Sequence, residues 1–247
     1  MSNFKQAAEK IKGILGLESE PVAVFLVSAS DERAASLEIF KPIEAHRYCQ
    51  LLMRARRGES VRLVPDELAC PAAAAAFGFR PLPESLASGR GLVGFGITRD
   101  AETGRMMFEA MPRLEPGQLA SIAACPLKDS PELPDVVVVE GAPEKLMWLV
   151  LADLNEAGGR RRKADTAVLQ ATCVDATVIP FLEQRLNFSL GCYGCREATD
   201  LAPEEAVIGF PAAALNAVVN NLSFLREKAI PKSRVKGVFE GLRKRTN

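Results

Sequence analysis

Pro21-Val22-Ala23-Val24-Phe25-Leu26-Val27 places six apolar residues in a row behind a proline. A run this short and uninterrupted reads as a strand covered on both faces, because a strand with one wet face alternates polar and apolar residues. Pro134-Asp135-Val136-Val137-Val138-Val139 repeats the pattern in the second half of the chain. Two such strands call for helices on both sides of a sheet.

Helical patterns surround both runs. Phe4, Ala8, Ile11 and Leu15 recur at helical spacing ahead of Gly16. A helix is predicted over 44–57, ended by Gly58, with Cys49, Leu52 and Met53 inward and Arg54, Arg56 and Arg57 partly solvated. Residues 60–64 alternate as a short strand, and Asp66 or Glu67 begins a helix that runs through Cys70 to Phe77 and Gly78. Pro, Ser and Gly accumulate over 81–96; here the pattern predicts a strand at 92–97 and a hairpin around 100–104 leading into 106–110.

Pro131 and Pro134 frame a linker into the second buried run. Pro143 then opens a helix carrying Leu146, Leu149, Val150 and Leu154 that stops at Gly158-Gly159. Residues 166–171 read as a strand, with Cys173 on a following helix. Asp200 and Pro203-Glu204-Glu205 read as the cap and first turn of another helix. Gly209-Phe210-Pro211 reads as a break before a final helix of Leu215, Val218, Val219 and Leu222.

This alternation predicts an α/β or α+β fold, a mixed sheet with packed helices. Residues 1–247 read as a single domain. The order buried strand, helix, glycine, short strand, cysteine occurs twice, which suggests a β-α-β-α duplication with halves at about 20–115 and 130–225 and a C-terminal helical tail. Such a duplication would bring Cys70 and Cys173 to related positions near a central interface. The apolar face of 215–225 suits a core or a homodimer interface equally.

Composition narrows the function. Lys plus Arg and Asp plus Glu balance at 31 each, so no global field points to nucleic acid or an anionic membrane. No apolar run approaches the ~20 residues needed to span a bilayer. Met1-Ser2-Asn3-Phe4-Lys5 does not open a secretory signal, so a cytoplasmic protein with reduced thiols is expected. The single histidine, His46, excludes a multi-histidine metal site within one chain.

Chemistry concentrates in Leu190-Gly191-Cys192-Tyr193-Gly194-Cys195-Arg196. Two thiols at this spacing can chelate a metal, share an iron–sulfur cluster or close a redox disulfide. Cys70 and Cys173 lie in similar small-residue surroundings, so Cys70, Cys173, Cys192 and Cys195 make a four-sulfur set. Gly191 and Gly194 free backbone N–H groups to point at sulfurs, and Arg196 beside Cys195 is expected to lower its pKa and favour a bound cofactor. A thioredoxin-like setting is not indicated, since no β-α-β context is legible around the pair.

Other motifs weigh less. His46 and Cys49, three apart on a predicted helix, could face one ligand, but a surface histidine and a core cysteine is the simpler reading. Cys125 has no partner by spacing. Gly89-Arg90-Gly91-Leu92-Val93-Gly94 matches G-x-G-x-x-G by letter only, since no strand precedes it. Arg160-Arg161-Arg162-Lys163 and the basic tail over 232–245 lack the interleaved aromatics of a base-stacking surface.

The run from Gly191 to Leu201, followed by Gly209-Phe210-Pro211, resembles the prokaryotic family known as domain of unknown function 169, the ArCR-type proteins. Pro134–Val138 with Ala142-Pro143-Glu144, Glu67-Leu68-Ala69-Cys70 ending at Phe77-Gly78-Phe79, and Met111-Pro112-Arg113-Leu114 extend the resemblance over about 20–225. The resemblance implies cysteines matching Cys70, Cys173, Cys192 and often Cys195, with alanine in place of Cys125. It also implies a prokaryotic protein, often archaeal or from anaerobic bacteria, and no established reaction.

Two functional readings follow. In the first, the protein binds an iron–sulfur cluster such as 4Fe-4S through the four cysteines and serves redox transfer or sensing with a redox partner protein. In the second, it is a non-redox binding protein or enzyme whose cysteines line a pocket for a small molecule, with Arg47, Arg54 and Arg196 as anion anchors. Structural zinc on the same four cysteines is the remaining metal alternative. No catalytic residue is assigned, because a cysteine nucleophile has no evident base unless His46 approaches it.

Overall fold

The computed structural model describes residues 3–159, 163–167 and 169–232. The basic run 160–162 and the tail beyond 232 lie outside the described residues. The chain opens with α1 (Asn3–Leu15) and β1 (Val22–Val27), then α2 (Ala34–Leu37), β2 (Lys41–Pro42), α3 (Tyr48–Arg56) and β3 (Val61–Leu63). Four short helices follow: α4 (Pro71–Ala76), α5 (Glu84–Ala87), α6 (Arg90–Gly94) and α7 (Ala101–Glu109). Next come β4 (Ser121–Pro126), β5 (Val136–Gly141) and α8 (Pro143–Ala157). A π-helix over Ala171–Val178 runs directly into α9 (Ile179–Glu183), and β6 (Asn187–Ser189), α10 (Tyr193–Ala198), β7 (Ala206–Pro211) and α11 (Leu215–Lys228) follow.

The strands form one seven-stranded mixed sheet in the order β2-β3-β4-β1-β5-β7-β6, with β2 and β3 parallel and the other pairs antiparallel. β1 lies at the centre, every residue buried, as its uninterrupted apolar run requires. Val22, Val24, Leu26, Val136 and Val138 face a core shared with α3, α4, α7 and the π-helix. Ala23, Phe25, Val27, Val137 and Val139 face a second core under α1, α8 and α11. The fold is therefore a mixed α/β layer structure with the sheet dry on both sides. α11 buries Leu215, Val218, Val219, Leu222 and Leu225 within that second core.

Several elements differ from the sequence expectation. The strand at 92–97 and the hairpin after it are helices α6 and α7; Asp100 caps α7 by accepting the Thr103 N–H at 2.8 Å, and Leu92 and Phe108 turn inward together. The G-x-G-x-x-G letters thus lie at the cap and inside of α6, with no nucleotide-binding turn. α3 begins at Tyr48 rather than 44, because His46 is held extended in a bridge with Leu68. The described residues of 166–167 and 169–170 carry no strand, and Ala171 already belongs to the π-helix. Pro203-Glu204-Glu205 is a turn into β7, not a helix start, and Gly209-Phe210-Pro211 lies within that strand. α3 and α8, the paired helices of the suggested duplication, lie on opposite faces of the sheet.

α5, α6 and α7 form a small cap that packs chiefly on itself. Its two ends leave the body side by side. Phe79 N–H donates to Ala74, Leu114 N–H donates to Ala76 at 2.8 Å, and Gly117 N–H donates to Gly78 at 3.0 Å. Both stems of the cap are thus pinned to the last turn of α4. Among the described residues, no helix is long and apolar enough to cross a membrane.

Candidate functional site

Four separate segments converge on one cavity. After β6 the chain turns through Gly191, whose φ of +82° lies in the left-handed region open to glycine. Arg196 holds this turn by donating to the carbonyls of Leu190, Ala202 and, at 2.7 Å, Glu205. Cys192 then caps α10, its sulfur accepting the Cys195 N–H at 3.1 Å. α3 brings Tyr48 and Cys49, and Cys70 caps α4 just ahead of Pro71.

The π-helix brings Thr172 and Cys173. Turns of this width are rare and tend to mark functional sites. Pro180, just past it, cannot donate to the carbonyl of Ala176 four residues back, and its ring disfavours a tight turn there. Gly209 in β7 lies against this carbonyl: a Cβ at the glycine would overlap the Ala176 oxygen. The π-helix therefore lies against bare strand backbone, and Cys173 is placed accordingly.

The cavity has a volume of about 450 Å³, and Cys49, Cys70, Cys173, Cys192 and Cys195 all line it. Cys192 donates to Cys195 at 2.8 Å, and the Thr172 hydroxyl meets the Cys195 sulfur at 2.9 Å. Behind them a buried chain runs from Tyr48 Oη to Thr177 Oγ1 at 2.7 Å and from Thr177 to the Thr172 carbonyl at 3.0 Å. All six cysteines are free thiols.

Their surroundings keep Cys173, Cys192 and Cys195 protonated. Desolvation pushes Cys173 well above the ordinary thiol value, and neighbouring Cys70, Cys195 and Cys192 add to the rise. Donation to Cys195, followed by burial, raises Cys192 despite the backbone N–H groups of Cys195 and Ala171 that favour its thiolate. The hydrogen bond from Cys192 lowers Cys195, but Cys49 and burial outweigh it and leave Cys195 at about 12. The expected lowering by Arg196 does not occur, because its guanidinium is turned onto three carbonyls. Neutral thiols are poor nucleophiles but become strong soft donors once a cation displaces their protons. Among the described residues, no three His, Cys, Asp or Glu side chains are disposed to hold a single metal ion.

The other candidates separate cleanly. Of the glycines and arginine named beside the pair, Gly194 lines the cavity and Gly191 and Arg196 shape the turn behind it. Arg47 lines the cavity, whereas Arg54 pairs with Glu59 at 2.6 Å. His46 bonds the Glu44 carbonyl and Arg54 away from the thiols, so it supplies no base to them. Cys125 sits in the opposite core on β4, raised to about 12 by burial. Cys49 is buried in the core, as the sequence reading placed it, and also lines the cavity.

A second cluster lies outside this cavity. Arg56, at the end of α3, is 6% exposed and pairs with Glu140 at 2.9 Å, Asp200 at 2.5 Å and Glu205 at 3.5 Å. Arg57 adds a contact to Asp200 at 2.6 Å. One buried guanidinium thus ties α3 to β5 and to the segment after α10. Burial, opposed by Arg56, raises Glu140 to about 7.

The uncharacterised ArCR family, domain of unknown function 169, matches residues 10–221 of this chain. The protein belongs to that family. All five cavity cysteines fall within the ArCR match. A relative, the uncharacterized protein MJ0308 of Methanocaldococcus jannaschii, is 31% identical over 229 residues, covering 92% of this chain and 97% of its own. No solved structure is a significant match to this ArCR chain.

Proposed function

We propose that the protein binds an iron–sulfur cluster through Cys70, Cys173, Cys192 and Cys195, and serves electron transfer or redox sensing with a partner protein. The observation that carries this reading is the convergence of thiols from α4, the π-helix and α10 on one cavity. Soft thiolates suit iron–sulfur clusters, and backbone N–H groups aimed at the sulfurs tune their potential. Cys192 has two such groups, from Cys195 and Ala171. A single zinc needs four sulfurs each about 2.3 Å from one point, whereas a cluster spreads its ligands over several irons.

The test is a visible spectrum with iron, zinc and sulfide analysis on protein purified without oxygen. Broad brown absorption with iron and sulfide, lost in Cys173→Ser, supports the reading. Zinc alone, or a colourless metal-free protein that fails reconstitution with iron and sulfide, overturns it.

A further inference from the structure

The thiols are only part of the cavity lining. Much of the rest is apolar: Leu86, Leu92, Phe95, Ile97 and Phe108 come from the α5–α7 cap, and Leu169 comes from the segment before the π-helix. A metal group needs no such lining. Structural metal sites close around their ligands, while cavities of roughly 300–1,000 Å³ lined by apolar side chains and a few polar groups are those that take small organic molecules. At about 450 Å³ this cavity falls in that class.

Its rim shows what kind of molecule. Phe95 is 74% exposed and Tyr193 71% exposed although both line the cavity, so two aromatic faces stand uncovered at its edge. Tyr193 is also the residue between Cys192 and Gly194. Arg47 is the cation of the lining; its Nη1 donates to the Gly194 carbonyl at 3.1 Å and stands 3.6 Å from the exposed carboxylate of Glu197. A guanidinium half open to solvent and held weakly by a surface glutamate can exchange that partner for a ligand's carboxylate. Gln170 and Glu197 also line the cavity, while the Tyr48 hydroxyl is bonded to Thr177 and the Thr172 hydroxyl to Cys195.

We infer that the cavity binds an organic carboxylate with a planar apolar body, its ring system against the cap residues and its acid group on Arg47. The thiols then lie within reach of the bound molecule. This site stands on the cap and Arg47, and so it goes beyond the cluster assignment and does not require it.

The experiment is a calorimetric titration of trans-cinnamate and neutral cinnamyl alcohol into the metal-free and the iron- and sulfide-reconstituted protein. In the natural protein, one equivalent of cinnamate should bind, about tenfold tighter than the alcohol because of the charge-assisted bond. Arg47→Gln should erase the preference while the alcohol binds as before. Phe95→Ser, a change at an exposed position that leaves folding intact, should weaken both probes. No saturable binding, or binding indifferent to both variants, overturns the proposal. Failure of reconstitution with cinnamate binding retained leaves the carboxylate site standing and removes only the cluster.

Discussion

Gly209 and Ala176 meet backbone to backbone, the glycine leaving room for the carbonyl oxygen that the π-helix turns toward β7. The contact fixes how deeply the π-helix sits on the sheet. Gly209→Ala should lower stability by about 1–3 kcal/mol, in the range of other overpacked cores. Gly13→Ala, in α1 with open space around it, should raise stability by up to about 1 kcal/mol. Thermal or urea unfolding of the two variants checks this, and equal behaviour would remove the π-helix contact as a determinant.

Cys173, Cys192 and Cys195, held protonated by their surroundings, must give up their protons to bind a cation. Adding zinc in weak buffer at pH 7 should therefore release one proton for each thiol engaged. Cys173→Ser should release one fewer, and Cys125→Ser, which lies in the opposite core, the same number as the natural protein. A pH-stat titration counts them. Equal release from the Cys173 variant would show that this thiol is not a ligand.

Cys49 sits beside Cys195 but outside the proposed ligand set. Cys49→Ser should retain the cluster and shift its midpoint potential, since the change alters hydrogen bonding around a ligand sulfur. Anaerobic redox titration reads the shift. Loss of iron in this variant would instead make Cys49 a ligand.

The folded protein holds a proton on Glu140 up to about pH 7, against 4.5 for an ordinary glutamate. Over that interval the unfolded chain has already lost the proton, so this group's contribution to stability is greatest below pH 4.5 and declines as pH rises to about 7. Asp175, raised by burial to about 6, acts with the same sign at lower pH. The clean window is therefore pH 6 to 8. There the natural protein should lose stability, and Glu140→Gln should show a flatter profile. An unchanged slope in the variant would assign the pH dependence elsewhere.

Removing Arg56 should be more costly than removing Glu140. Arg56→Met leaves Glu140, nearly buried beside it, without its counter-ion, at a cost of about 3–5 kcal/mol. The double variant Arg56→Met, Glu140→Gln should recover part of the loss, and a double-mutant cycle in denaturant measures the coupling. Additive losses would mean that the 2.9 Å pair carries no coupling.

Much of this was legible in the chain. The Val22–Val27 and Val136–Val139 runs identified strands buried on both faces, and the cysteine spacing gathered residues that share one cavity. Local pattern failed where tertiary contact decides. β4 holds Ser121-Ile122-Ala123-Ala124-Cys125-Pro126, small residues with no strong strand preference, yet it lies buried beside β1. β7 was concealed by Gly209 and Pro211, of which the glycine is there for a helix far away in sequence. Arg196 looked like a partner for sulfur because it adjoins Cys195, but its direction is set by carbonyls that sequence proximity does not reveal. The Arg56 cluster joins three distant segments, so no spacing could have announced it.

The cap leaves and rejoins the body at neighbouring points on the end of α4, so its length and composition can change without moving a strand. The sulfurs belong to the body and most of the apolar lining to the cap. Exchange of the insert between 79 and 114 is thus a route by which descendants of one scaffold could keep the same inner chemistry while acquiring different guests.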